Sequence, residues 1–228
     1  VKGIAAFGLP TIAVPPIVLF MSLPSAVSIM TIPMVITNFV QMMISGRIKS
    51  VIIRHWRLFL GLFTGLPIGV FMLSAVETQY LLIAVGIFLM FIATLEITGI
   101  SFSFLGSREN LYGPLIGLAA GIIGGITTLY GTLPVFFFIA LGLEKDDFVS
   151  AVSVMLFGGS IFLLLSLQSM DFLKPTEIAY SVIGLVPLFA GMWAGTKVRG
   201  HIPQATFKKF VLTLVALIGV IMIYRALF

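Results

Sequence analysis

Apolar stretches of about 20 residues, the length an α-helix needs to cross a hydrocarbon core, recur along the whole chain. Residues 3–22 are apolar but carry Pro10, Pro15 and Pro16, too many for one continuous helix. Residues 24–46 predict a helix with a polar stripe of Thr31, Asn38 and Gln41, at spacings that share one face. The segment 46–57 is basic and aromatic, and is expected to be a connection at a membrane surface. Residues 58–74 predict a short helix with Gly61, Gly65 and Gly69 every fourth residue, a close-packing face. Residues 79–104 predict a long helix that contains Glu96, followed by a polar turn at 107–110. A second apolar region runs from Tyr112 to Leu143, with Gly113, Gly117, Gly121 and Gly125 again at fourfold spacing. A charged turn at 144–147 precedes a helix over 148–169, on which Ser153 and Ser160 share a face. A helix over 176–196 with Pro187, a second basic connection through Lys197, Arg199, Lys208 and Lys209, and a last helix over 210–227 complete the pattern.

The stretch 121–134 breaks this pattern. Gly124 and Gly125 weaken helix, Gly131 can take a positive φ, and Pro134 has no backbone N–H. Thr127, Thr128, Tyr130 and Thr132 crowd four hydroxyls into the same few residues. Broken backbone exposed to lipid would leave polar groups unpaired, so a break here must face protein or a water-filled cavity. A kinked helix packed through its glycines is the plain alternative to a binding site made from two half-helix ends.

The two halves of the chain echo each other. The run Gly3-Ile-Ala-Ala-Phe-Gly8 aligns with Gly121-Ile-Ile-Gly-Gly-Ile126, and the same offset sets Pro16 on Pro134. Slightly larger offsets set Thr31 and Asn38 on Ser153 and Ser160, and Pro67 on Pro187. The expected repeats are 1–106 and 107–228 of one membrane domain, and interrupted segments at matching places point to a transporter and its central site. Charge gives their orientation. If the broken segments 3–22 and 112–143 dip in and return, both basic connections share one side with Arg108 and Lys145, leaving only Lys2, Lys174 and Arg225 opposite. If every apolar segment crosses, the 197–209 connection violates the positive-inside rule. The predicted fold is therefore an all-α integral membrane protein with two inverted repeats. Each repeat has a broken or re-entrant helical segment followed by three transmembrane helices.

Composition agrees. Of 228 residues, 60% are hydrophobic and 9% charged, against about 25% charged in a soluble domain. The net charge of +5 thus concerns membrane orientation rather than nucleic acid. With no cysteine, thiolate chemistry and disulfides are excluded. No catalytic constellation is visible, no cofactor is expected, and His55 and His201 are too far apart to suggest a metal site. Both histidines are expected at the surface, in the basic connections. Glu96 is the one carboxylate well inside an apolar run; it is expected to sit at the interface beside Arg108, with a proton-carrying role as the alternative. The chain starts at Val1 with a first apolar segment short at its start, so residues preceding it are expected.

The duplicated glycine-rich broken segment ending in proline, Gly3 to Pro16 and Gly121 to Pro134, resembles the sulfite exporter TauE/SafE family, also called the toluene sulfonate uptake permease family. The Pro-containing helix around Pro67 and Pro187 fits too, and the resemblance covers nearly the whole chain. It implies a prokaryotic inner-membrane carrier of sulfite, organosulfonates or related small anions, embedded in lipid and with proton coupling left open. Ala6 and Pro10 depart from the pattern at positions matching Gly124 and Thr128. With no Lys or Arg expected at mid-membrane, helix N-termini would supply the positive potential for the anion. Thr132 is the expected cap of a half-helix starting at Leu133, with Pro134 in its first turn. Thr11, Asn38, Thr127, Thr128, Tyr130 and Ser153 would donate to the anion beside the backbone of Gly125 and Gly131, with Gln41, Pro134 and Ser160 behind them. Against this, Ser and Thr in apolar helices often bond their own backbone, which applies best to Ser153 and Ser160. A membrane scaffold and a passive anion channel are the competing functions.

Overall fold

The computed structural model describes Ile17, residues 20–98 and 108–199, and most positions from 213 to 227; the side chains at 92, 95–97, 187 and 191–199 are outside that description. Thr11 and most of the first broken segment, the 200–212 part of the second basic connection, His201, and the side chains of Glu96 and Pro187 therefore lie outside the described residues.

The described residues form seven helices in order: α1 Leu23–Ser45, α2 Ile48–Ala75, α3 Thr78–Thr98, α4 Glu109–Thr127, α5 Thr132–Ala140, α6 Lys145–Ser169 and α7 Pro175–Arg199. Further helical residues lie between 213 and 227. Four of the helices, α1, α2, α4 and α6, are long and apolar enough to cross a membrane. Large apolar side chains such as Phe39, Ile44, Phe71 and Leu165 stand on the outside, as a hydrocarbon solvent permits.

Local chemistry sets the helix ends. Ser22 caps α1 by accepting from the Ser25 amide, with Pro24 in the first turn. Gly46 ends it at φ 81°, a left-handed conformation that suits glycine. The chain then turns straight into α2, and here the expected connection over 46–57 is corrected. Those residues are mostly helical, and α2 runs for 28 residues with a kink at His55, where φ is −108° and ψ 19°. At 1.5 Å per residue, α2 is about 42 Å long, more than a hydrocarbon core of about 30 Å. Its basic first turns can thus stand at the interface while the rest crosses. The charged turn before α6 is likewise part of the helix start. Asp146 and Asp147 occupy its first turn, where the helix dipole favours carboxylates.

The glycine stripes of α2 and α4 pack backbone to backbone. Cβ atoms added to Gly121 and Gly69 would stand 2.8 Å and 2.9 Å from the Cα atoms of Gly65 and Gly125. Gly61, Gly65 and Gly69 meet residues 114–125 in rising order, so the two helices run parallel. This is the close approach small residues allow in lipid, where packing rather than water expulsion holds helices together.

Other contacts fix further directions. Ser150 Oγ donates to the Ser45 carbonyl at 3.0 Å and Asn38 Nδ2 to the Leu156 carbonyl at 3.1 Å, so α1 and α6 are antiparallel. Ser25 donates to Glu177, and Ser181 to the Ile29 carbonyl, so α1 and α7 are parallel. Gly86 meets Ile223, while Gly219 meets Met90, so α3 and the helical residues near the C-terminus are antiparallel.

Candidate functional site

Helix α4 ends at Thr127, and the next residue makes the turn. Thr128 takes φ 68° and ψ 0°, and its amide donates to the Gly124 carbonyl at 2.6 Å. A β-branched residue in the left-handed region is strained, at about 1–3 kcal/mol. The positive φ that Gly131 would permit is found three residues earlier. Gly131 is right-handed, at φ −79° and ψ −20°, and packs against Leu156.

Helix α5 then returns along α4. Its Phe137 ring reaches Gly113, in the second turn of α4. Its Phe138 ring meets His55, which pairs with Glu109 at the start of α4. Beyond α5, Asp147 at the start of α6 pairs with Arg47 at the start of α2. Residues 47, 109 and 147 therefore lie at one end of the bundle, and the segment 109–147 leaves that end and comes back to it.

The break itself is buried. Tyr130 is fully buried, with its Cβ against Gly124 and its ring against Gly159, so two glycines make the slot that holds it. Its hydroxyl donates to the Leu156 carbonyl at 2.9 Å and lies 3.4 Å from Asn38 Nδ2; Ser160 also faces it. Three of the sequence-predicted residues, from α1, α6 and the break, thus converge on one hydroxyl.

Several other predicted donors are engaged locally. Thr127 Oγ1 donates to the Ile123 carbonyl at 2.7 Å and accepts from the Leu129 amide at 3.1 Å, tying off the end of α4. Ser153 bonds the Val149 carbonyl, and Ser160 the Phe157 carbonyl, each at 2.7 Å. Thr31 does the same with Val27. Thr132 is not the cap but the first residue of α5; Gly131 holds the cap position without a side-chain bond, and the Thr132 amide donates to the Leu129 carbonyl at 3.2 Å. Pro134 sits in the first turn of α5 as expected, where its missing N–H costs nothing. Gly125 lies in the α2–α4 contact, where an added Cβ would stand 2.5 Å from the Leu66 carbonyl oxygen and 2.7 Å from the Val70 nitrogen.

Two predicted groups keep unmet hydrogen-bonding capacity. Thr128 Oγ1 and Gln41 Oε1 are buried without a hydrogen-bond partner among the described residues. An unpaired buried hydroxyl costs about 1–3 kcal/mol, and at Thr128 that adds to the backbone strain. Such costs cluster where a site is poised for a ligand. An oxyanion there could accept the Thr128 hydrogen bond beside the N-terminus of α5, whose dipole end is positive.

Sequence reasoning missed His55. It was expected at the surface, yet its side chain is 2% exposed and its Nδ1 stands 2.9 Å from Glu109 Oε1. The kink turns it inward against α4 and α5. A usable signal existed in the glycine stripes. Setting Gly61, Gly65 and Gly69 against Gly117, Gly121 and Gly125 and extending the register toward the N-terminal end brings His55 near Glu109.

No curated protein and no solved structure matches the chain. The family described as Sulfite exporter TauE/SafE matches residues 1–222, spanning the apolar helices, the glycine contact and the buried break, and the chain accordingly belongs to the TauE/SafE sulfite exporter family of membrane transporters.

Proposed function

We propose that this multi-pass membrane protein is a secondary carrier of sulfite or a small organosulfonate, that it works by alternating access, and that its substrate site lies at the α4–α5 break. The carrying observation is Thr128, a strained residue with a buried and unpartnered hydroxyl, at the place where a transmembrane helix stops and folds back. Broken backbone inside an apolar bundle, next to a half-helix N-terminus, is the usual way such carriers hold ions at mid-membrane. The substrate oxygens accept from Thr128, and Asn38, Tyr130 and Ser160 form the polar cluster behind the break. With no lysine or arginine at the break among the described residues, binding is weak enough to permit release. The glycines of α4 act differently: Gly117, Gly121 and Gly125 hold the scaffold that supports the break.

The two halves, 1–106 and 107–228, are read as inverted repeats in a prokaryotic inner membrane. The antiparallel pairing of α1 with α6 supports this, as does that of α3 with the C-terminal helical residues, because these are the elements the repeat equates. Asn38 and Ser160, equated by the sequence repeat, flank the same Tyr130 hydroxyl. Uptake into proteoliposomes tests the function. Sulfite, benzenesulfonate, taurine, sulfate and chloride are offered in turn, with and without a pH gradient. Saturable uptake of a sulfur oxyanion, drivable uphill, is expected. Non-saturating flux that only runs downhill would make the protein a channel, and no flux of any anion would leave the scaffold.

A further inference from the structure

We propose that the His55–Glu109 pair is a proton-binding site that couples anion movement to the proton gradient. This rests on the carrier reading above and assigns the coupling to a different place from the anion. The pair joins the three elements that make the fold-back. His55 is the non-helical residue at the kink of α2, Glu109 opens α4, and the Phe138 ring of α5 stands edge-on to the imidazole at 5.0 Å.

The geometry leaves one nitrogen open. The buried Nδ1 stands 2.9 Å from a Glu109 carboxylate oxygen, yet it makes no hydrogen bond among the described residues. With the neutral imidazole protonated at Nε2, Nδ1 is the nitrogen that can take a proton, on the side of Glu109. Binding it turns the neutral imidazole into an imidazolium and the pair into an ion pair. Charge thus changes at the point where α2 meets α4.

Access is graded. Glu109 is 30% exposed while His55 is 2% exposed, so the carboxylate can pass a proton from water to the imidazole behind it. Among the described residues, the charged groups facing His55 are Glu109 from α4, Arg54 from α2 and Asp147 from α6, the last held by Arg47. Helix α5 presents only the Phe138 ring. The imidazole titrates in the range of physiological gradients more readily than any other side chain. A bond that merely ties two helices would need no titrating group, whereas a proton site needs one buried, reachable from one end of the bundle, and touching the element that must move.

The test has two arms. The chain has two histidines, so His201→Asn leaves His55 as the sole imidazole, and nitrogen-labelled histidine then reports its protonation directly. The expected result is a change of protonation within the pH range the folded protein tolerates, with a midpoint that moves on Glu109→Gln. In proteoliposomes loaded with sulfite or benzenesulfonate, His55→Asn keeps a polar group beside Glu109 but cannot titrate. It should retain anion exchange at equal pH and lose the response to an imposed pH gradient. An imidazole that holds one protonation state across the range would overturn the proposal, and so would a His55→Asn protein that still follows the gradient as the wild type does. If the wild type carries neither anion, the carrier reading and the coupling fall together, while the titration still decides whether the pair binds a proton. That arm leaves His55 unchanged, so misfolding of the Asn variant does not remove the test.

Discussion

Thr128 concentrates the account at the scale of single residues. Two costs meet there: a β-branched side chain at φ 68° and a buried hydroxyl with no partner. Thr128→Gly removes both, against about 0.5–1 kcal/mol of added backbone entropy in the unfolded chain. Thr128→Val removes only the unpaired hydroxyl. The glycine variant should therefore be more stable than wild type by about 1–5 kcal/mol, and more stable than the valine variant. Melting in detergent, followed by tryptophan fluorescence, checks the order; a glycine variant that melts below wild type would mean the strain is not there. The sequence showed that this stretch must break but not which residue would bend. Glycine is the usual occupant of a positive φ, and Gly131 was the natural choice. The turn falls at Thr128 instead because Tyr130 must drop into the slot between Gly124 and Gly159, a contact made from α6 and invisible locally. Asn38 and Tyr130 were legible as polar groups in apolar surroundings; their meeting through Leu156 was not.

Among the elements, the α2–α4 contact carries the stability argument. Periodicity alone revealed both glycine stripes, since spacing by four places residues on one helix face. It could not say that they face each other, nor that α2 would continue through the basic segment to Ile48. Arginine, lysine and histidine read as a loop when they are in fact the first turns of a helix. Gly121→Ala should destabilise by about 1–3 kcal/mol, because the new Cβ would lie 2.8 Å from the Gly65 Cα and no flexible side chain is there to yield. Gly184→Ala on α7 is the contrasting change. Nothing lies within 4 Å of its added Cβ, so helix propensity should win and stability should rise by up to about 1 kcal/mol. Thermal melting of the two variants side by side checks the pair; equal shifts would show that the helices do not touch there.

For the molecule as a whole, the decisive matter is which segments cross and which return. The ion pair of Arg47 with Asp147 and the pair of His55 with Glu109 gather the starts of α2, α4 and α6 at one end. Helix α7 runs parallel to α1, so its basic end points the same way. Single cysteines at Ser50 and Gln204 should accordingly be labelled by an impermeant thiol reagent from the same, cytoplasmic, face; labelling from opposite faces would undo the inverted arrangement. Charge asymmetry already favoured that topology in the sequence. The repeat itself is harder to judge from sequence, since hydroxyl-bearing Thr128 and Tyr130 align with Pro10 and Ile12 in the first half, which makes the polar chemistry of the break one-sided. The central claim is that this break binds the transported anion, and concentration-dependent uptake of the carried sulfur oxyanion into proteoliposomes tests it most directly. Wild type, Thr128→Val and Val220→Thr are compared, the last on a half-exposed outer face. A lost hydrogen bond to a charged substrate is worth about 1.5–3 kcal/mol, so Thr128→Val should weaken apparent affinity by roughly ten- to a hundredfold while Val220→Thr matches wild type. Wild-type affinity in Thr128→Val, in a protein that demonstrably carries the anion, would contradict the site.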